Sequence, residues 1–478
     1  MEAKENKWGD PATLRRVPSD ITCATFPLVV VSNRLPVSFS VDEHGVRVPT
    51  LSPGGLVAAV APSLQGRDAA WVGWDGTDFG VSEPSKAEGI ALFPVSLSQD
   101  LVERHYEGFS NGTLWPLFHD VGVEPEVHES WWEAYQEVNA TFAHRAAEAV
   151  APGGIVWVHD YQMMLVPGVL RALRPDVTIG YFHHIPFCAR ERLRSLPQNA
   201  ELLAGTVAAD IAGFQREGDC DNFRTAASKV LGADVSLRAE TYPISLDFAA
   251  VSTASGDPQV LARAAELRSE WGDPRTVFLG VDRIDYTKGI PERLEAYEAL
   301  LRSGQLNVED TVMVQAGSPS REKVPSYQAL RARIDAIVAR INHEFQSSDG
   351  RPAVIYSAQN LERAEMLALF VAADVMVVSS LRDGMNLVAK EFVACKNDES
   401  GVLILSPFTG AADRMVEALI ADPTTSVELQ SAMLQATAMT PEEQQRTMVA
   451  LRDEVRTHDV AWWAERILTD LASKATRP

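Results

Sequence analysis

Two stretches of the chain gather cations and backbone amides of a kind that suits a phosphorylated ligand. Asp282-Arg283-Ile284-Asp285-Tyr286-Thr287-Lys288-Gly289 puts two cations in one loop after an apolar run. Arg283 and Lys288 together could hold a diphosphate and neutralise its charge as it leaves; the alternative is a solvated charged loop. Leu381-Arg382-Asp383-Gly384-Met385-Asn386-Leu387-Val388-Ala389-Lys390-Glu391 follows a second apolar run. Here Gly384, Met385, Asn386 and Leu387 are expected to form the first turn of a helix, with N–H groups left free for an oxygen-rich ligand. Asp383 either grips sugar hydroxyls or caps that helix. Glu391 lies about one turn further on, where a carboxylate could accept both hydroxyls of a ribose.

Other candidates follow apolar runs in the same way. Arg34, in Ser32-Asn33-Arg34, and Arg321 each suit a phosphate through a bidentate guanidinium, or lie on plain surface loops. Gly54 and Gly55 precede a helical pattern, where they let backbone amides approach an anion or simply make a turn. Asp160, in His159-Asp160-Tyr161, could accept a hydrogen bond from a substrate hydroxyl or act as a base, and His184 could line a sugar. His183 and His184 do not read as a zinc pair, because adjacent strand residues point to opposite faces. Trp71, Trp74, Tyr106 and Trp115 offer aromatic faces for sugar C–H surfaces, although such rings mostly fill cores.

The elements that must position these residues are short β-branched runs separated by longer helical patterns. Residues 27–31, 155–158, 178–182 and 210–214 form one series of predicted strands; 276–281, 311–315, 353–356, 374–378 and 402–405 form another. Continuous apolar runs of this length suit strands buried on both faces. Helical patterns at 257–271, 325–345 and 361–373 alternate with the second series. The alternation predicts an α/β protein with two facing, doubly wound Rossmann-like domains and a ligand cleft between them, at the carboxyl ends of the strands. The expected divisions are a loose tail over 1–25, a first Rossmann-like domain over 26–245, a second over 246–455, and a C-terminal helix over 456–478 that packs back on the first domain. A hairpin is expected at 37–41 and 46–49, turning at 42–45.

Composition narrows the function classes. The 478 residues exceed what one core holds, and 46% hydrophobic with 23% charged residues is ordinary for a globular chain. A net charge of −22 repels polyanions, which argues against a nucleic-acid partner and makes the few clustered cations informative. Cys23, Cys188, Cys220 and Cys395 are scattered, with no C-x-x-C pair, so neither a disulfide framework nor a zinc site is expected. The charged N-terminus lacks the apolar core of a signal peptide, and no apolar run is long enough to span a bilayer. A cytoplasmic protein without a membrane partner is expected.

Taken in order, Ser32–Arg34, Gly54–Leu56, Trp71–Trp74, Leu114–Pro116, His159–Tyr161, His184–Phe187, Asp282–Gly289 and Leu381–Glu391 resemble the motifs of the trehalose-6-phosphate synthases, from about residue 27 to about 470. These are retaining glycosyltransferases of family 20 with the GT-B fold. The resemblance implies transfer of glucose from a nucleoside diphosphate glucose to glucose 6-phosphate, giving α,α-trehalose 6-phosphate. It implies Arg34 and Arg321 on the acceptor phosphate, with Trp74, Tyr106 and Trp115 beside it and Asp160 near the reacting hydroxyl. It implies Gly55, His184, Asp383 and Gly384–Leu387 around the donor, Arg283 and Lys288 on its diphosphate, and Glu391 on its ribose. Front-face attack without a covalent intermediate is a further implication. No D-x-D motif stands in a convincing place, so no tightly bound metal or cofactor is expected; a homo-oligomer is expected because such assemblies are common, and no fused phosphatase domain is expected beyond about residue 470. Cys188 stands where the family usually has proline, and is expected to make the site sensitive to thiol reagents; Ile284 replaces a common leucine. The rival readings are a relative with another phosphorylated acceptor, a catalytically silent sugar-phosphate sensor, and a dinucleotide-dependent oxidoreductase. The last lacks its G-x-G-x-x-G fingerprint.

Overall fold

The computed structural model describes residues 25–41, 47–51, 55–64, 66–76, 84–87, 89–232, 238–322 and 324–475. Among them, eight strands form one sheet in the spatial order Arg238–Thr241, Ile211–Phe214, Thr178–Phe182, Val150–His159, Phe26–Arg34, Ala69–Trp74, Ile90–Val95, Ser85–Ala87. Only Ser85–Ala87 pairs antiparallel. Six strands form a second, wholly parallel sheet: Val354–Ser357, Thr311–Ser318, Thr276–Arg283, Val375–Val378, Val402–Leu405, Leu419–Ile420. Counted along the chain, these six lie in the order 3-2-1-4-5-6, a doubly wound Rossmann-like arrangement. The strand order reverses between Phe26–Arg34 and Val150–His159 in the first sheet, and between Thr276–Arg283 and Val375–Val378 in the second. Crevices open at such reversals, and the candidate residues follow these four strands.

Period-2 alternation decides which face each apolar residue covers. Val29 and Val31 pack with Val138 and Phe142 of the helix Glu129–Ala149, while Leu28 and Val30 join Trp71, Trp157 and Phe182 on the other face. That second cluster runs on through Tyr242, Leu246 and Trp463 to Val277, Leu279 and Phe392, so one apolar core serves both sheets. The helix Val460–Ala475 lies on the first sheet, with the Trp463 ring 5.1 Å from Trp157 and 5.3 Å from Phe182. Its indole N–H donates to the Tyr242 carbonyl at 3.2 Å, where the chain leaves the first sheet. Gly180 lets this helix close in: a Cβ there would sit 2.7 Å from Leu471 Cδ1. Among the described residues no helix is long and apolar enough to cross a membrane.

Several local features go beyond the expectations or change them. Ala69–Trp74 and Ile90–Val95 are also strands, and Trp71 fills the core as such rings mostly do: it is fully buried and donates its N–H to Ser32 Oγ at 2.8 Å. The hairpin pairs Val37–Val41 with Arg47–Leu51, and its turn at 42–46 lies outside the described residues, as do the tail over 1–24, Cys23 and Gly54. The helix expected from Gly384 begins instead at Leu387. Asn386, at φ +75°, is its cap, accepting from Ala389 N–H at 3.0 Å, so Asp383 is not needed as one.

Candidate active site

The carboxyl ends of the two sheets face each other, and the backbones meet where Gly384 lies against His184. A Cβ on Gly384 would fall 2.1 Å from the His184 carbonyl oxygen, so only glycine fits. On the first sheet, the strand Val150–His159 ends in Asp160, held at φ +77°. Its Oδ1 accepts the His184 N–H at 3.1 Å, which joins the ends of two adjacent strands. Burial pushes the Asp160 carboxyl up to about 7, outweighing its two backbone hydrogen bonds and the charges of Arg283 and Arg321. The His184 ring stacks beside Phe182, and its Nε2 lies 3.0 Å from His159 Nδ1.

Arg34 leaves its strand exposed, with its guanidinium 4.7 Å from the Trp74 ring centre and 5.9 Å from that of Tyr106. Tyr106 comes from a wide helical segment, Val102–Leu114, which delivers Trp115 at its end. The Trp115 ring joins the sheets electrostatically: the guanidinium of Arg321 lies 3.8 Å from its centre and that of Arg283 5.3 Å. Arg321, at φ +47°, also donates to Asp285 at 3.2 Å and to the Tyr327 hydroxyl. Asp285 is fully buried and further accepts from Tyr327 at 3.1 Å and from Thr287 N–H and Oγ1 at 3.0 Å. Burial disfavours its charge, but Arg321, Arg283 and Lys288 outweigh that and hold its carboxyl down at about 2.

Lys288 donates to Asp383 Oδ2 at 2.5 Å, and Asn386 donates to the same oxygen at 3.2 Å. Burial opposes the charge on Asp383, yet Lys288 keeps its carboxyl below the usual range. Among the described residues, none of the N–H groups from Gly384 to Leu387 donates to a backbone carbonyl, and these amides lie beside that ion pair. Beside Asp383 a cavity of about 800 Å³ opens between the halves, with Pro186 and Arg216 on one side and Arg382 and Asp413 on the other. Arg216 crosses it to Asp413 at 2.7 Å.

The site thus brings together Arg34, Trp74 and Tyr106; Trp115, Arg283 and Arg321; Asp160 with His184; and Lys288 with Asp383 and Asn386. The Met385 side chain is buried in the core, which leaves its backbone as the part that can face a ligand. Gly55 opens the helix Gly55–Leu64. Glu391 is half-buried in the second turn of its helix and has no hydrogen bond to the Lys288–Asp383 pair among the described residues; burial pushes its carboxyl up to about 7 against the pull of Arg363. Sequence reasoning assigned no role to Asp285, Tyr161, Tyr327 or His159. Asp285, His159 and Tyr161, whose hydroxyl accepts from Arg321 at 3.4 Å, sat inside stretches already singled out around Arg283 and Asp160; nothing in the sequence marked Tyr327.

Two facing Rossmann-like sheets with cations and free amides at their opposed strand ends define a GT-B glycosyltransferase. The model of the family described as "Glycosyltransferase family 20" matches residues 27–473, and the chain belongs to that family. It is 45% identical over 463 residues to a trehalose-6-phosphate synthase of Mycobacterium sp. (strain JLS), covering 93% of this chain and 96% of that protein. A solved structure from E. coli bound with UDP-2-fluoro glucose superposes with a TM-score of 0.85 at 30% identity, covering 94% of this chain and 99% of that one. An α,α-trehalose-phosphate synthase (UDP-forming) from Burkholderia xenovorans in complex with glucose-6-phosphate gives 0.84 at 30% identity, covering 93% and 99%.

Cys188 departs from expectation. It is fully buried and burial pushes its thiol up to about 12, so it holds almost no thiolate near neutrality. Native protein treated with a disulfide reagent at neutral pH should therefore leave Cys188 unmodified when its peptides are mapped by mass spectrometry. Labelling of Cys188 as fast as a free thiol in solution would show that burial does not protect it.

Proposed function

We propose that the chain transfers glucose from a nucleoside diphosphate glucose to glucose 6-phosphate, with retention, to give α,α-trehalose 6-phosphate. The observation that carries this reading is the division of cations across the cleft. Arg34 is on the first sheet and Arg283, Lys288 and Arg321 on the second, and the Trp115 ring packs against both Arg321 and Arg283. An acceptor phosphate would take Arg34 and Arg321, with Trp74, Tyr106 and Trp115 walling the sugar. A donor diphosphate would take Arg283 and Lys288, with Gly55 and the Gly384–Leu387 amides lining its path and Glu391 accepting the ribose hydroxyls. As the diphosphate draws Lys288 away from Asp383, that carboxylate is released to hold hydroxyls of the transferred glucose beside His184.

No protein nucleophile is needed in this arrangement. The leaving phosphate oxygen takes the proton of the attacking hydroxyl on the same face, while Arg283 and Lys288 stabilise the separating charge and Asp160 orients the acceptor sugar. UDP-glucose is the leading donor, since a similar structure binds a UDP-glucose analogue. The scattered cysteines, three of them free thiols, fit a reducing cytoplasmic setting, and a homo-oligomer is part of the reading.

Purified protein incubated with glucose 6-phosphate and, separately, UDP-, ADP- or GDP-glucose should release nucleoside diphosphate. The product should show the anomeric proton signals of α,α-trehalose 6-phosphate. Folded protein that binds glucose 6-phosphate yet releases nothing with any donor contradicts the reading. Arg283→Ala should lower kcat about 10²–10³-fold with an unchanged unfolding midpoint, because its charge matters most as the leaving group departs. Unchanged turnover would remove Arg283 from the mechanism.

A further inference from the structure

The ring of His159 is fully buried at the end of its strand, in contact with Trp157, Phe182 and His184. Its Nδ1 lies 3.0 Å from His184 Nε2, and its own Nε2 is enclosed with no hydrogen-bond partner among the described residues. Burial holds both imidazoles far below the ordinary histidine range, so at neutral pH each ring carries one proton. A single proton then lies between them, and two arrangements are available. If His184 donated from Nε2, the proton of His159 would be on its enclosed Nε2, an orphaned N–H in apolar surroundings. If His159 donates from Nδ1, its enclosed Nε2 is only an unpaired acceptor, which a protein interior tolerates better than an orphaned donor. The His184 backbone is held by the bond from its N–H to Asp160 and by the packing of its carbonyl on Gly384, and its ring packs among Phe182, His159 and Trp463. The Nδ1 of His184, unlike the inner nitrogens, is neither enclosed nor paired among the described residues.

We infer that His159 is a positioning residue: it donates from Nδ1 to His184 Nε2 and fixes His184 as the Nδ1–H tautomer, which presents a hydrogen-bond donor to the cleft. The tautomer follows from the buried pair alone. Its consequence, that the transferred sugar must offer His184 an acceptor oxygen, rests on the donor-site reading above. His159 thereby contributes to donor recognition without touching the donor.

Long-range ¹H–¹⁵N correlation on full-length, ligand-free protein labelled at histidine reads the tautomer directly, with His184→Gln supplying the assignment. The expected result is a protonated Nδ1 and an unprotonated Nε2 on His184; a protonated Nε2 overturns the inference. Kinetics then separate positioning from bulk. His159→Asn, whose side-chain amide can still donate, should keep the donor KM within about threefold of wild type, whereas His159→Phe, of similar bulk without a donor, should raise it about tenfold and leave the acceptor KM unchanged. Equal donor KM values for the two variants would overturn the inference. A chain that transferred no glucose at all would contradict the proposed function, and the tautomer measurement would still decide the role of His159.

Discussion

The approach of two backbones sets the geometry on which the cleft depends. The Gly384 Cα packs on the His184 carbonyl, and Gly410 packs in turn on the Gly384 carbonyl, where a Cβ would fall 2.1 Å away. No side chain stands between the halves at this point, so the strand ends of the two sheets are held at a fixed separation. Farther out, the Arg216–Asp413 pair and the bond from Lys390 Nζ to the Ile244 carbonyl, at 2.8 Å, tie the same halves together. The shared core through Trp463 and Leu246 supplies the apolar burial beneath them.

Electrostatics follow from that separation. A strongly acidic chain concentrates cations in its cleft, and each needs a carboxylate to make its burial tolerable. Asp285 holds Arg321, Asp383 holds Lys288, and Asp282 holds the fully buried Arg293 behind them. The first two pairs lie where phosphates are expected, so the carboxylates keep the cations positioned until a ligand competes for them. Asp285, within 4.0 Å of Arg283 as well, and the shared face of Trp115 let the like charges of Arg321 and Arg283 stand close.

Strands buried on both faces were legible in the sequence because they are continuous β-branched runs, as at Val29–Val31 and Val375–Val378. Ala69–Trp74 and Ile90–Val95 were not, since Gly73, the tryptophans and Pro94 interrupt that signal. Trp71 fills the core, as an aromatic in such a run most often does, while Trp74 at the end of the same strand is the ring beside Arg34. The cations after each strand were legible because charge at a strand end is conspicuous in an apolar context. Their counter-ions and packing partners were not, because Asp285–Arg321, Trp115–Arg321 and His159–His184 are contacts between residues distant in the chain. The place of Cys188 in a motif suggests a reactive thiol, and its full burial in the core of the first sheet reverses that.

Gly384→Ala tests the account most directly, since it adds one methyl group at the contact that sets the cleft and removes no functional group. With the thermal unfolding midpoint retained, kcat/KM for glucosyl transfer should fall on the order of 10²-fold, as expected for a displacement of about 1 Å between reacting partners. Wild-type turnover in a folded Gly384→Ala protein would show that the separation of the two sheets is not set at this contact.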